Sequence, residues 1–518
     1  MFAVGPASDE AGLWSPERRK LTIGLVLTIT LVAFEALAIA TVMPEVKDDL
    51  GGLALYGWVF SGFFLASLLG IVVSGQLADR RGLTLPFTAG LILFSIGLVV
   101  GGFAQTMPML VIGRLAQGFG AGAIPSVGYA AIGRGYPARL RPRMFATTST
   151  AWVVPGLIGP ALATVVEHAW SWRLVFLGLL PIVAVAGAMA IPALRALDAP
   201  RSRSRRPGSS DELGATDSGR SPAPQSGKQI AVEAGGSAAP APTVGAVLAA
   251  ADRRRLGRVV LLVAGVGAVL GATSDAPPLL AVPLVVIGLP LAAWAFVGLV
   301  PKGTARLARG VPATVAVRGI LTCGFFSADA YVSLAVTDGR GASIWFAGAA
   351  LSAGSVTWAS ASWVQARFIG RLGPRRLVAT GFAVLVGAIG LMLAVALGLA
   401  VPFAIVSWAI GGFGMGLAYS PLSVTVLAAA RPGEEGVASA ALQLSDTLGI
   451  AIGTGIGGSV VALGDSRGWA VSSGTAVVFA ASLVVVVGGL LATRRLPSEV
   501  PDGQQPEAAR LRGSADRW

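Results

Sequence analysis

The sequence contains little charge, one cysteine and one histidine. Aspartate, glutamate, lysine and arginine make up 13% of its 518 residues, about half the share that is usual in soluble domains. The lone Cys323 excludes a disulfide within the chain, and with only His168 beside it there is no Cys/His spacing for a zinc site. The nearest approach to a phosphate-binding loop, at 226–229, lacks the glycine spacing and the following Ser or Thr. The sequence therefore predicts no cofactor and gives no ground for an ATPase or a metalloenzyme.

Apolar residues dominate instead. They account for 54% of the chain, and the mean hydropathy is +0.74. Many apolar runs reach 18 or more residues, which is the length that crosses the hydrocarbon core of a bilayer as a helix. The 70 glycines fit this class, because small residues let membrane helices pack closely. The sequence predicts an all-α polytopic membrane protein.

Fourteen apolar segments are predicted to cross the membrane as helices, since lipid offers no partner to a free backbone group. Their predicted bounds are 21–43, 54–76, 84–105, 109–133, 144–167, 170–194, 257–273, 279–300, 312–336, 343–366, 376–399, 402–428, 437–463 and 473–493. Basic residues flank 257–300 on both sides, so an even number of crossings lies between them. The alternative is a chain of twelve spans in which this segment lies on the membrane surface.

The spans divide into two sets of six with an extra pair between them. We predict an N-terminal six-helix bundle at 1–198, a cytoplasmic linker at 199–256, an extra transmembrane hairpin at 257–300, a C-terminal six-helix bundle at 312–496 and a tail at 497–518. The linker is rich in Pro, Ser, Gly and Arg without an apolar period, which is typical of a disordered tether. Short basic glycine-rich turns at 75–82 and 367–376 stand at equivalent places in the two bundles and indicate an internal repeat.

Basic residues are distributed very unevenly between the predicted loops. Of the 39 lysines and arginines, those in the outer loops are Lys47, Arg173, Arg340 and Arg467, and Arg114 lies within a span. All others, including Arg318 at a span end, are assigned to the inner side. This bias predicts that both termini are cytoplasmic and that the protein lies in the cell membrane. Because the net charge of +13 is spread over these loops, it does not indicate a nucleic-acid partner.

Ionisable side chains well inside the spans are candidates for function, because each costs at least about 2.5 kcal/mol to place at mid-membrane. Glu35 and Asp329 lie at similar depth in the first helix of their respective bundles. Burial disfavours the charged form of a carboxyl, so such a group can take up a proton on one side and release it on the other. The alternative is a hydrogen bond to a neighbouring helix. Asp446, with Gln443 one turn before it, either lines a cavity or makes such a bond.

Several segments resemble, in the right order, the motifs of the major facilitator superfamily and of its fourteen-span drug:proton antiporter branch. They are E-A-L-A-I-A-T-V-M-P at 35–44, G-Q-L-A-D-R-R-G at 75–82, R-L-A-Q-G at 114–118, the Gly-Pro pair at 159–160 and W-R-L-V-F-L-G-L-L-P at 172–181. The chain departs from these motifs after Gly82, where Leu83 and Thr84 replace two basic residues. It also departs around the Gly-Pro pair, where Pro155, Ala163 and Thr164 replace glycines.

The resemblance implies roles for individual residues. Arg114 would take part in a proton relay with the help of Gln117, the alternative being a fixed strut between helices. Asp79 would lock the interface that closes on the inner side, facing helix N-termini; the alternative is a solvated aspartate. Two groups complete the prediction. The motif and gating residues are Gly75, Asp79, Arg80, Gly82, Gln117, Gly118, Gly156, Gly159 and Pro160. The residues that could line a cavity, if they are not simply packing residues, are Trp58, Tyr129, Trp152, Trp358, Tyr419 and Gln443.

The resemblance further implies a non-enzymatic, proton-driven exporter of small amphipathic compounds that works by alternating access, with a monomer as the family expectation. Its partners would be the solute, protons and the lipid bilayer. One alternative is a carrier for a specific metabolite, lipid or siderophore. An intramembrane enzyme or sensing scaffold is a second alternative, but the spans contain no nucleophile arrangement or metal site to support it.

Overall fold

The computed structural model describes residues 12–137, 153–199, 244–272, 278–429 and 435–499, together with Leu140, Met144, Thr147 and Ala151. The predicted tail, most of the linker and Trp152 lie outside the described residues. Fifteen helices are defined within these ranges. They are α1 (Pro16–Leu50), α2 (Tyr56–Arg81), α3 (Thr84–Gly102), α4 (Met107–Gly135), α5 (Val153–Ala169), α6 (Arg173–Leu177), α7 (Leu180–Asp198), α8 (Val244–Ala272), α9 (Pro278–Val297), α10 (Val311–Asp329), α11 (Val332–Val336), α12 (Ile344–Ala396), α13 (Phe403–Ala428), α14 (Glu435–Ser466) and α15 (Val471–Ala492).

The described residues include twelve helical segments that are long and apolar enough to cross a membrane, which confirms an all-α polytopic fold. One of them, α12, contains 53 residues and is interrupted at Gly373, which has a φ of 73° and is followed by Pro374. The 17-residue α5 is not among the twelve. The number of fourteen spans stays a prediction.

The two glycine-rich segments predicted as turns are mostly helical. Helix α2 continues through Arg81 and breaks only at Gly82, where φ is 84° and ψ is 177°. Helix α12 likewise continues to Gly373, whose φ of 73° and ψ of 161° are nearly the same. These positive φ values favour glycine. The predicted turns are therefore wrong in extent, because the helices continue beyond the apolar core, but the repeated break supports an internal repeat.

Helices α1–α7, called the N-half here, pack mainly against one another, and so do α10–α15, called the C-half. The two halves meet along two seams, α2 with α14 and α5 with α12. At the end of the molecule where α2 begins, the α2–α14 seam is very tight: a Cβ on Gly57 would lie 2.6 Å from Gly458 Cα. The rings of Tyr56 and Tyr331 also meet there, 5.5 Å apart between centroids. The halves are thus closed at this end.

The segment 257–300 forms two helices that pack tightly against each other. A Cβ on Gly265 of α8 would lie 2.7 Å from the carbonyl oxygen of Gly288 of α9. Helix α8 in turn packs against α2 and α14, so the pair lies beside the bundle as a hairpin. This arrangement favours the predicted hairpin over a segment lying on the membrane surface.

Candidate functional site

The N-half contains a fully buried ion pair between Glu35 of α1 and Arg114 of α4. Arg114 Nη1 donates to Glu35 Oε1 and, at 2.9 Å, to Gln117 Oε1. Its Nε donates to the Val59 carbonyl oxygen at 3.0 Å, and its guanidinium lies 4.2 Å from the centre of the Phe63 ring. Four contacts therefore hold the Arg114 side chain in place. The structure brings together the predicted residues Glu35, Arg114 and Gln117.

Glycines determine how close Arg114 comes to α2. A Cβ on Gly118 would overlap with the carbonyl oxygen of Phe63, and one on Gly122 would overlap with that of Ser67. The α2 and α4 backbones are consequently in direct contact, which small residues permit in membrane helices. This contact explains why R-x-x-Q-G ends in glycine. A larger residue at position 118 would push α2 and α4 apart and move Arg114 away from the Val59 carbonyl oxygen.

Two buried polar atoms at this ion pair, Glu35 Oε2 and Gln117 Nε2, have no hydrogen-bond partner among the described residues. An unpartnered buried polar atom costs about 1–3 kcal/mol and calls for an explanation. Glu35 has one oxygen bound to the guanidinium and one oxygen with room for a proton. Protonation would remove the charge that holds Arg114, so the geometry can couple a proton to a change in helix contacts.

Asp329 stands at the C-terminal end of α10 in a different environment. Its Oδ1 accepts a hydrogen bond from Trp408 Nε1 at 2.7 Å, and Trp408 is buried. Within the described part of the chain, no lysine or arginine makes an ion pair with this carboxylate. Asp329 therefore lacks the counter-charge that Glu35 has.

Asp446 of α14 is paired with an arginine that the loop count had assigned to the inner side. Arg318 lies eight residues into α10 and is buried; its Nε donates to Asp446 Oδ1 at 2.7 Å, and its Nη1 donates to the Tyr419 carbonyl oxygen at 2.7 Å. Tyr419 Oη donates to Asp446 Oδ2 at 3.0 Å, and Arg318 Cζ lies 3.0 Å from the Tyr419 ring centre. The loop assignment of Arg318 is corrected: its helix and burial place it within the bundle.

A row of aromatic rings connects the Arg318–Asp446 pair with Asp329. The ring centroids of Tyr419 and Trp358 are 5.4 Å apart, those of Trp358 and Phe325 are 5.8 Å apart, and those of Phe325 and Trp408 are 5.6 Å apart. Two predicted cavity residues, Trp358 and Tyr419, thus belong to one row with a carboxylate at each end.

The other predicted cavity residues are placed less uniformly. Trp58 lies against α8, where Cβ atoms on Gly267 and Gly271 would lie 3.7 and 3.8 Å from its ring. Its prediction as a cavity residue is corrected, because the hairpin covers this face of α2. Tyr129 of α4 lies close enough to Asp446 and Arg318 for an electrostatic interaction. Gln443 is half-buried.

The motif at 75–82 is also placed differently from the prediction. The Asp79 side chain is 82% exposed and lies 3.6 Å from Arg134 Nη2, and Arg80 is exposed beside it. The N-terminus of α3 is occupied by Asp198, which accepts from the backbone nitrogens of Leu83 and Thr84 at 2.8 and 2.7 Å. The expectation that Asp79 faces a helix N-terminus is corrected here. Helix α7 ends beside Gly82, and its last residue, Asp198, occupies that position instead.

Small residues of α5 lie in the second seam between the halves. A Cβ on Gly156 would lie 2.7 Å from the Cβ of Ser355 in α12, and one on Gly348 of α12 would lie 2.8 Å from Thr164 Oγ1. A Cβ on Gly159 would lie 3.6 Å from the Phe34 ring of α1. The glycine-proline segment is therefore a contact surface for both halves, and the gating role implied for Pro160 stays a prediction.

The model of the Major Facilitator Superfamily matches residues 25–454. The chain belongs to the major facilitator superfamily. Over 165 residues it is 32% identical to Multidrug resistance protein 3 of Bacillus subtilis (strain 168), and over 164 residues it is 29% identical to the multidrug efflux pump SdrM of Staphylococcus aureus (strain N315). These matches cover 32% of this chain in both cases and 32% and 37% of the two relatives, so they span about a third of each.

Solved structures share the fold. A bacterial homolog of the human lysosomal transporter Spinster, in an inward-facing and unoccupied conformation, superposes with a TM-score of 0.60 at 16% identity, covering 95% of this chain and 99% of that chain. An auto-inhibited peptide transporter of the POT family gives 0.63 at 15% identity, with 94% and 99% coverage. At these identities the likeness shows the architecture of a major facilitator transporter alone.

Sequence reasoning missed two contacts of this major facilitator protein. Arg318 could have been found, since the predicted span 312–336 already enclosed it between apolar residues. Lys47, at the end of α1, forms an ion pair with Asp338, which follows α11 in the C-half. No local pattern signals that contact, because its partners are 291 residues apart.

Proposed function

We propose that this transporter exports small amphipathic compounds across the cytoplasmic membrane in exchange for protons, as a member of the fourteen-span antiporter branch. The observation that carries the proposal is the buried Glu35–Arg114 pair, in which one carboxylate oxygen is bound and the other has no partner. The similar bacterial proteins are named as a multidrug resistance protein and a multidrug efflux pump, which supports the direction and the solute class.

Proton coupling rests on the different environments of the carboxyls inside the bundle. Glu35 and Asp446 each have an arginine beside them, whereas among the described residues Asp329 accepts a hydrogen bond from the Trp408 indole and has no basic partner. A carboxylate without a counter-charge is costly in a membrane interior and is stabilised by a proton or a cation. Asp329 therefore binds a proton when the site is empty, and Glu35 transmits protonation to Arg114.

The driving force is sufficient without ATP. A membrane potential of 100 mV is worth about 2.3 kcal/mol per charge. At about 1.4 kcal/mol per tenfold ratio, one proton exchanged for one neutral solute sustains a gradient of roughly 45-fold.

The solute would bind along the aromatic row of the C-half. Trp358 and Tyr419 present ring surfaces between two carboxylates, and aromatic faces bind flat apolar groups and cations. Such a surface suits amphipathic compounds better than sugars, which need many amide and hydroxyl partners. The end closed by Gly57 and Gly458 is the outer one according to the loop charges, so this conformation would be open to the cytoplasm.

The test is ethidium efflux from cells, with and without a protonophore, for the wild type, Glu35→Gln and Asp329→Asn. The matched control is Asp465→Asn, an exposed acid beyond the apolar part of α14. We expect the protonophore to abolish efflux by the wild type and the control. We expect Glu35→Gln and Asp329→Asn each to reduce the efflux rate at least tenfold. Proton-dependent efflux that survives in the Glu35→Gln, Asp329→Asn double variant would contradict the proposal. No ethidium movement in the wild type would favour a dedicated metabolite, lipid or siderophore carrier.

A further inference from the structure

The α8–α9 hairpin lies on the seam between α2 of the N-half and α14 of the C-half. On one side, the ring of Trp58 in α2 lies over Gly267 and Gly271 of α8. On the other side, a Cβ on Gly455 of α14 would lie 2.5 Å from Leu270 of α8. One helix of the hairpin therefore contacts both moving halves of the transporter.

Helix α8 follows the seam from its closed end toward the other end. At Gly57 and Gly458 the backbones of α2 and α14 touch. Leu68 lies eleven residues further along α2, about 16 Å at 1.5 Å per residue. There Leu68 shares a hydrophobic cluster with α8 residues such as Val259 and with Leu444 of α14, separate from the main core. Helix α8 thus covers the α2–α14 seam from the closed end to the level of Leu68.

The two helices of the hairpin have different surroundings. Helix α9 packs behind α8 through Gly265 and Gly288, and its other face is apolar and exposed, with Leu279 85% and Val286 64% accessible. In a membrane this face contacts lipid. Helix α8 is therefore the part inserted in the seam, and α9 separates it from the bilayer.

The chain connects the hairpin closely to the C-half only. Residues 298–310 join α9 to α10, whereas residues 199–243 separate α7 from α8. Leu270 of α8 packs on Gly455 of α14, and the Trp58 ring of α2 lies against Gly267 and Gly271 of α8. The short connection through residues 298–310 therefore ties the hairpin to the C-half.

We propose that the hairpin is a lateral seal that travels with the C-half and slides over Trp58 of α2. It closes the α2–α14 seam to lipid while the halves rock, so that a solute dissolved in the membrane can enter only from the α5–α12 side or through the aqueous mouth. The inference goes beyond the proposed function, since it concerns the route and holds for any solute.

The first test measures exposure of the seam and needs no transport. In a Cys323→Ala background, we would place a single cysteine by Leu444→Cys and measure its labelling by a lipid-soluble photoactivated carbene, which does not require a thiolate. Val424→Cys, at an exposed site of α13, is the reference. Deleting 257–300 removes two predicted spans and so keeps their number even. We expect this deletion to increase the labelling rate at position 444 at least tenfold and to leave the rate at position 424 unchanged. Gly271→Trp, which pushes α8 off Trp58, is the second variant, with at least a threefold rise expected. Unchanged labelling at position 444 in either folded variant would overturn the seal.

The second test asks which half carries the hairpin. In the same background, a disulfide between Leu270→Cys and Gly455→Cys should form and preserve at least half of the efflux rate. A bifunctional thiol cross-linker of about 10 Å between Trp58→Cys and Gly271→Cys should reduce efflux at least fivefold, with each single-cysteine variant unaffected by the reagent. The reverse pattern, or equal effects of the two links, would contradict the sliding seal. The labelling test does not use ethidium. Its result can therefore be interpreted even if the export proposal fails.

Discussion

Arg318 of α10 and Asp446 of α14 form a partly buried ion pair, 2.7 Å from Nε to Oδ1, with the acid and the arginine placed the other way round from the Glu35–Arg114 pair. In the N-half, the acid is on the first helix of the half. In the C-half, the arginine is on the first helix. Each half thus contains an ion pair inside its bundle, and Asp329 is left as a carboxyl without an arginine or lysine partner in the described part of the chain.

Breaking the Arg318–Asp446 pair should cost more than removing it entirely. Arg318→Met leaves a partly buried carboxylate without its partner, a change that costs up to about 3 kcal/mol, whereas removing both charges of such a pair is often nearly neutral. We expect Arg318→Met to lower the melting temperature in detergent clearly, and the double variant Arg318→Met, Asp446→Asn to recover most of the loss. Additive losses in the double variant would contradict a coupled pair.

Replacing Asp198 should lower the stability of the protein, whereas replacing Asp79 should not. Asp198 caps α3 with two backbone hydrogen bonds and a third from Thr84 Oγ1 at 2.6 Å. Loss of such a cap costs about 1 kcal/mol, so Asp198→Ala should lower the melting temperature. Asp79→Ala should not, because that side chain is exposed. A stability loss of equal size in Asp79→Ala would show that the cap assignment is wrong.

The ion pair between Lys47 and Asp338 should hold the two halves together at the closed end. Lys47 also contacts Asp48 at 2.6 Å, so the pair with Asp338 has a local competitor. We expect Lys47→Asp to weaken closure and the exchange Lys47→Asp, Asp338→Lys to restore it, as measured by labelling of a Tyr331→Cys probe from outside in the Cys323→Ala background. Arg467→Asp, another outer-loop reversal, is the control. Identical labelling in all variants would rule out this latch.

Gly57 should tolerate no side chain in the closed conformation. A Cβ there would lie 2.6 Å from Gly458 Cα, a distance that requires the backbones to move apart. We expect Gly57→Val to reduce efflux at least tenfold and to increase labelling of the same outer probe. Gly387→Val is the matched control, since a Cβ at Gly387 meets nothing within 4 Å. Full activity of Gly57→Val would mean that the α2–α14 contact is not part of the transport cycle.

The sequence was sufficient for most of the fold and for part of the site. Apolar runs predict membrane helices because lipid cannot satisfy free backbone groups, and the family motifs point to Arg114, Gln117 and Glu35, which the structure brings into contact. The helix ends were predicted less well, as at Gly82 and Gly373, because helices continue past the hydrocarbon and hydropathy measures only the core.

The sequence by itself determined which residues are costly to bury in a membrane, because that cost depends on the side chain and its depth alone. The tertiary structure decided their partners. Arg318 reaches Asp446 across 128 residues, and Lys47 reaches Asp338 across 291. Which acid has a counter-charge and which helix fills a seam depend on how distant helices pack, and no local pattern in the chain encodes those distances.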